Sequence, residues 1–357
     1  MRLYAIWGVP MRKIIIPTGY MGSGSSAITD LLDGIEGINV SRSTFEFVFL
    51  HCPNGVFDLE DKLLVGNNAV RSDEALHSFY KTMKQLYDKK YWWVGHYNEY
   101  VGKNFLAETE NYINSLTQFS PEYYWYYQEN VEPKMVPRLI LNKFLKCIPN
   151  GKKYIKKPLA YSPMWISFVT PDEFYKASQE YIYRIFDMMG DKDESLVLDQ
   201  LLLPFNLHRF PNYFKDDAEV FVINRDPRDV FISNKYYWSR NNEPVPYPVD
   251  ADAFCDFYSR LRAMEKPALH KQIHRLNFED LIYKFEETVN YVYDVLNIPK
   301  EERDISKVKF NPKKSINNTQ LFLKNEEYTK ECKIIEEKLA DYLYDFPYAI
   351  EHGDKVF

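Results

Sequence analysis

The stretch KIIIPTGYMGSGSSAITDLL, residues 13–32, decides the reading of the fold. It opens with KIIIP, a continuous β-branched run of the kind that forms a strand buried on both faces of a parallel sheet. It closes with SSAITDLL, where Ala27, Ile28, Leu31 and Leu32 fall on one helical face and Gly34, just beyond, offers a stop. Between them lies a Gly/Ser loop. Gly19 and Gly24 keep the spacing of G-x-x-x-x-G-K-[ST], and Ser26 stands at the Ser/Thr position, but Ser25 replaces the lysine. Strand, glycine loop, helix is the context in which backbone N–H groups turn inward on an anion. Gly22 and Gly24 let the backbone approach closely, and Ser23, Ser25 and Ser26 add hydroxyl donors. With no lysine to reach a γ-phosphate, the predicted ligand is a smaller anion, such as one 5′-phosphate, rather than a triphosphate with Mg²⁺.

Working outward, the 357 residues are 45% hydrophobic and 27% charged, a globular composition with a formal net charge of −6. No broad positive field favours nucleic acid, so an anion site must be local. The four cysteines, Cys52, Cys147, Cys255 and Cys332, are far apart and form no CxxC pattern, which fits a reducing compartment and argues against a disulfide framework. No apolar run of about 18 residues occurs, so the expectation is a cytoplasmic protein with at most a peripheral membrane contact. His270 and His274 have i,i+4 spacing but no accompanying ligand pattern; they read as solvated surface, and no metal is expected.

Further strands follow. SLVLD (195–199) reads as a buried strand ending in Asp199, AEVFVIN (218–224) as another, and RLNFEDL (275–281) as a strand end entering the helix FEETVNYVYDVL. EEYTKECKIIEEKLADYLYDF has helical periodicity. Strands alternating with helices predict an α/β fold around a mostly parallel sheet. Residues 75–190 lack clear buried strands and are rich in aromatics, so they read as a helical insertion. The expectation is a single domain over 1–357, with a nucleotide-binding core at 13–50 and 195–345.

VFVINRDPRDVFIS (220–233) is the most specific stretch. A buried strand delivers Arg225 at its C-terminal end, where open α/β sheets bind ligands. Pro227 suits a first helical turn, with Asp226 and Asp229 as capping carboxylates, and Ser233 lies about two turns on. Arginine and serine could grip one phosphate from two sides.

The strand–Gly/Ser-loop–helix paired with a later strand–RDPRD–helix–Ser resembles the sulfotransferase superfamily, whose three-layer P-loop-like enzymes transfer a sulfuryl group from 3′-phosphoadenosine 5′-phosphosulfate (PAPS). The resemblance covers roughly residues 13–50 and 195–345 and is nearest to bacterial, carbohydrate-type members. It implies that Gly22, Ser23, Gly24, Ser25 and Ser26 bind the 5′-phosphosulfate and that Arg225 and Ser233 bind the 3′-phosphate. It also implies that NPKKSINNT (311–319), with Lys313, Lys314 and Ser315, closes over the nucleotide, and that NFEDLI (277–282) follows the 3′-phosphate motif. One departure stands out. Family loops often carry a cation where this chain has Gly22; either Lys156, Lys157 or Lys235 replaces it, or transfer is weakened while PAPS-like binding remains.

Sulfuryl transfer to a hydroxyl asks for in-line geometry, stabilised oxygens and a base within hydrogen-bond reach. Glu46, entering on the extended segment after the first helix, is the leading base, with His51 and Asp199 as competitors. The aromatic clusters PEYYWYYQEN (121–130) and KKYWWVGHYNEY (89–100) favour a carbohydrate or glycolipid acceptor, although most of these rings are expected to pack in the core. Two other readings remain open at this level: a P-loop kinase with a degenerate loop, and a non-catalytic PAPS- or PAP-binding relative.

Overall fold

A computed structural model describes residues 12–40, 45–88, 94–241, 243–299, 303 and 308–350. Five strands form one all-parallel sheet: β1 (Ile14–Gly19), β2 (Ile38–Val40), β3 (Ser195–Val197), β4 (Ala218–Asn224) and β5 (Ile273–Asn277), in the order β2-β3-β1-β4-β5. β1 is central. It pairs with β4 over six positions, from Ile14 opposite Ala218 to Gly19 opposite Ile223, and with β3 at Ile14–Leu196 and Ile15–Val197. The strand orders reverse on either side of β1, so the loop after β1 sits at a switch point, where open parallel sheets bind ligands.

The continuous apolar runs explain the burial. Ile14, Ile15, Ile16, Val220, Phe221, Val222 and Ile223 are all buried, so both faces of the two central strands are covered. On one face Ile15, Val197, Phe221 and Ile223 cluster with Ile28 and Leu31 of the helix Ser26–Leu32 and with Val289, Val292 and Tyr293 of the helix Phe285–Val295. Each such aliphatic or aromatic side chain contributes about 1.5–3 kcal/mol relative to exposure. The strand β2 was not anticipated from sequence; at three residues it is too short to show a pattern.

The chain divides into two compact units, one of Met1–Val48 with Met189–Phe357 and one of Phe49–Met188. The second unit is helical among its described residues, with helices at Val56–Leu64, Ala69–Asp88, Tyr97–Tyr100, Phe105–Leu116, Val136–Cys147 and Pro171–Asp187, and one isolated bridge, Phe119–Ile166. Its aromatics pack on one another. Tyr112 and Tyr181 stack at 4.6 Å between ring centres, Phe79 meets both edge-on, and the buried hydroxyls are bonded to Ser178 at 2.7 Å and Thr109 at 3.0 Å. Among the described residues no helix is long and apolar enough to cross a membrane.

His274 departs from the surface reading. It lies on β5, its Nε2 3.1 Å from Glu219 and its Nδ1 2.8 Å from the Tyr291 hydroxyl, and Glu219 also bonds Lys13 at 2.9 Å. Strand geometry, with its period of two, replaced the helical spacing that the i,i+4 pair suggested.

Candidate active site

The Gly/Ser loop runs between the end of β1 and the helix Ser26–Leu32. Gly22 and Gly24 both adopt left-handed backbone, φ 80° and 84°, and aromatic rings close on them from outside the loop. A Cβ at Gly22 would lie 2.4 Å from the Trp238 ring, and one at Gly24 would lie 2.8 Å from the Phe278 ring. Both glycines are therefore dictated twice, by torsion and by space. Inside the turn, Ser23 N–H donates to the Tyr20 carbonyl at 2.8 Å. The N–H groups of Gly22, Gly24, Ser25 and Ser26 donate to no group among the described residues, and the buried Ser23 Oγ has no partner. Unspent donors gathered in one turn are what an anion cradle requires.

β4 delivers Arg225 as expected. Asp226 is the N-cap of the helix Pro227–Ile232, accepting from Arg228 N–H at 2.9 Å, with Pro227 in the first turn. At Ser233 the helix passes into a π-turn, Ser233–Tyr237, of the sort often found at functional sites. The sequence spacing holds in space: Arg225 Nη2 is 3.4 Å from the buried Ser233 Oγ. The guanidinium also donates to the Gly22 carbonyl at 3.0 Å and to the Asn318 carbonyl at 2.6 Å, and its Nε is buried without a partner. Arg225 thus links the loop, the Ser233 turn and the segment 311–319. That segment meets it through Asn318 rather than through Lys313, Lys314 or Ser315. The two lysines are exposed on the short helix Pro312–Ser315 and form no ion pair among the described residues.

Beneath Arg225 lies a buried acidic frame. Asp226 forms a two-point pair with Arg228, and Asp229 accepts the N–H groups of Gln320 and Leu321 at 2.8 and 2.7 Å. Glu279 accepts Asp226 N–H at 2.9 Å. Burial, with the neighbouring Asp226 charge second, pushes Asp229 up to about 7; burial likewise raises Glu279 to about 8, helped by Asp229 and Asp226. The NFEDL segment therefore supports the site twice over: Phe278 roofs Gly24 and lies 5.2 Å from the Arg225 guanidinium, and Glu279 fixes the turn that aims Arg225.

Two acidic residues are brought near each other through the backbone. The Asp199 carbonyl, just past β3, accepts Phe47 N–H at 2.9 Å, which brings Glu46 alongside. Burial first, and the Glu46 charge second, lift the Asp199 carboxyl to about 7. Burial also raises Glu46. Asp199 Oδ1 is buried with no partner. The next residue, Gln200, is held at φ 59°, a conformation that costs on the order of 1–3 kcal/mol for a non-glycine residue. Its Nε2 donates to Ser25 Oγ at 2.8 Å, and its Oε1 accepts from Thr18 Oγ1 at 3.3 Å. Glu46 itself lies beyond β2 in irregular chain rather than on a strand. His51 falls in the helical unit, as do Lys156 and Lys157.

The missing loop cation is not restored by Lys235. Its ammonium is bonded to Glu331 and lies over the Phe231 and Tyr236 rings. Lys157 is paired with Glu129. Gln200, Trp238, Phe278, Glu279 and Asn318 are the members of this arrangement that no sequence motif singled out as site residues. Phe278 and Glu279 were at hand in NFEDL; Trp238 and Gln200 carried no local signal.

These residues fit a phosphosulfate and a second phosphate: donors without partners in the loop, and an arginine–serine pair nearby. The Sulfotransferase family matches residues 15–302. Among solved structures, the sulfotransferase domain from the curacin biosynthetic pathway is 14% identical, covering 95% of this chain and 94% of its own, with a TM-score of 0.35. The sulfotransferase domain of the Synechococcus PCC 7002 olefin synthase is 12% identical, covering 98% and 94%, with a TM-score of 0.36. Retinol dehydratase, in complex with androsterone and the inactive cofactor PAP, is 14% identical, covering 97% and 85%, with a TM-score of 0.31. No curated protein matches significantly. With the family matched over most of its length, the chain belongs to the sulfotransferases, enzymes that take their sulfuryl group from PAPS.

Proposed function

We propose that this sulfotransferase sulfates a hydroxyl of a carbohydrate or glycolipid, with Asp199 and Glu46 as the base. PAPS, when bound, supplies the activated sulfuryl group. The loop N–H groups of Gly22, Gly24, Ser25 and Ser26, with the Ser23 hydroxyl, would hold the 5′ anion, and Arg225 with Ser233 the 3′-phosphate. Lys313, Lys314 and Ser315 would contribute at the nucleotide rim. The carboxylate pair takes the acceptor proton as the new O–S bond forms and the bond to the leaving phosphate breaks.

The observation that carries this reading is the buried Asp199 carboxyl, its Oδ1 without a partner, one residue before Gln200, whose amide bonds Ser25 of the loop. A carboxyl near 7 is matched to taking a hydroxyl proton at neutral pH. The hydroxyl-rich, aromatic composition of the helical unit supports a sugar acceptor, and we read that unit and the sheet as parts of one catalytic domain working in the cytoplasm. The deciding experiment incubates the protein with PAPS and parallel panels of oligosaccharides, glycolipids, phenols and sterols, reading sulfated products by mass spectrometry. Product from phenols or sterols alone removes the carbohydrate assignment. PAP binding without any product favours a binding protein.

A further inference from the structure

The helix Val136–Cys147 keeps its apolar side outward. Its docked side is held largely by polar bonds to the segment that follows: Asn142 Nδ2 donates to the Lys156 carbonyl at 2.8 Å, and Arg138 donates to the carbonyls of Tyr154 at 3.0 Å and Lys156 at 3.3 Å. The other side is uncovered. Val136, Ile140, Leu141, Phe144 and Ile148 are between 44% and 65% exposed. Steps of four place Val136, Ile140, Phe144 and Ile148 along one stripe. An uncovered stripe of this kind marks an interaction surface.

Charge names the partner. Between Pro133 and Ala160 the chain carries seven lysines, one arginine and no acidic residue, in a protein of net charge −6. Lys143, Lys146, Lys152, Lys153 and Lys156 are exposed and form no ion pair among the described residues. Lys146, Ile148, Lys152 and Lys153 also line one surface groove. Folded protein partners place matching carboxylates at fixed points. Flexible ammonium groups flanking an apolar stripe suit instead a fluid layer of anionic headgroups, in which the stripe sinks to acyl-chain depth and the lysines stay with the phosphates.

We propose that the segment Lys134–Lys157 docks this protein peripherally on an anionic membrane surface. Val136, Ile140, Phe144 and Ile148 enter the interface, and Lys143, Lys146, Lys152 and Lys153 engage headgroups. The docking stands independently of which acceptor the enzyme sulfates.

The test is co-sedimentation of the full chain with vesicles of phosphatidylcholine alone or mixed with phosphatidylserine. Binding is expected only to the mixed vesicles, weakening about fivefold for each of Lys143→Gln and Lys146→Gln. Phe144→Asp is expected to lower it at least tenfold while the PAP-induced shift in melting temperature, reporting an intact fold, stays as in the parent. No partition onto the mixed vesicles, or equal partition by Phe144→Asp, overturns the proposal. So does a dimer in vesicle-free solution that Phe144→Asp dissociates, which would make the stripe an interface between copies, or a preference for heparin that competes vesicles away without any effect of Phe144→Asp.

Discussion

The loop at Gly22–Ser26 and the helix at Val136–Cys147 are two opposite ways of presenting a surface to anions. The loop is almost neutral. It relies on backbone N–H groups without internal partners and one buried arginine, Arg225, held by three oxygen contacts. The helix is cationic and exposed, and its lysines are free to reorient. The first arrangement fixes distances and so can discriminate one phosphate ester from another; the second supplies attraction without register. The difference teaches that net charge is a poor guide to where a specific anion sits: the most basic stretch of the chain lies in the helical unit, and the proposed nucleotide site is built of glycine and serine.

The sharpest way to break this comparison is through Asp199, beside the loop. If Asp199 accepts the acceptor proton, Asp199→Asn lowers kcat by about 10²–10⁴-fold while PAP affinity changes little. Equal losses in rate and PAP affinity would make Asp199 a loop support acting through Gln200. The pH profile has a defined sign. With the carboxyl raised to about 7, the rate should climb as pH passes upward through 7 and the base ionises. Stability runs the other way: a carboxyl raised above its unfolded value favours the fold when protonated. That contribution is complete below about pH 4 and lost as pH rises through about 7. Urea titrations at pH 8 should show Asp199→Asn more stable than the parent by roughly 1–4 kcal/mol.

Next in size is the loop itself. Gly24→Val places a branched side chain at φ 84° against the Phe278 ring, 2.8 Å from its Cβ, and should abolish PAP binding measured by calorimetry in a protein that still folds. Gly22→Lys would put back the cation that related loops carry. Here a Cβ would meet the Trp238 ring at 2.4 Å on a left-handed backbone, so loss of PAP binding is expected, and adding Trp238→Ala relieves the clash but not the torsion and should recover binding only in part. Recovery by Gly22→Lys alone would show that Trp238 yields easily. Smaller again is Arg225→Ala. Removing a charge-assisted contact costs roughly 1.5–3 kcal/mol, so PAP should bind about tenfold to a hundredfold more weakly, and its 3′-dephosphorylated analogue almost as before. An equal loss for both ligands would reassign Arg225 to holding Gly22 and Asn318 in place.

What could be read from the sequence follows distance along the chain. The glycine loop, Arg225 and Ser233 declare themselves because strand, turn and helix signals lie within about two helical turns of each other. The strand β4 runs Ala218–Asn224, as its apolar run implied. The approach of the Glu46 segment to Asp199 runs through the hydrogen bond from Phe47 N–H to the Asp199 carbonyl, which no local pattern encodes. Trp238 over Gly22 is equally non-local, so nothing in the local sequence shows that a side chain at Gly22 would meet a ring. The basic run 134–157 drew no reading from the sequence, and only packing reveals that its apolar stripe stays uncovered.

The smallest effect discriminates the two surfaces most directly. Both bind anions, but they should answer differently to salt. Interactions among exposed charges are screened within about 8 Å at physiological ionic strength, whereas buried ones are screened far less. Arg225 is 6% exposed, and the unspent loop donors are neutral dipoles. Raising salt from about 50 to 300 mM shrinks the Debye length from about 14 to about 6 Å, so PAP affinity at the loop should fall by less than about threefold while vesicle binding falls by more than about tenfold. The apolar stripe sets a floor to the second number: what survives at high salt should vanish in Phe144→Asp and persist in Lys143→Gln. Should PAP and vesicle binding decline together, the nucleotide must be held by exposed cations, with Lys313 and Lys314 the first to substitute, and the contrast between a neutral cradle and a charged surface would fail at the loop.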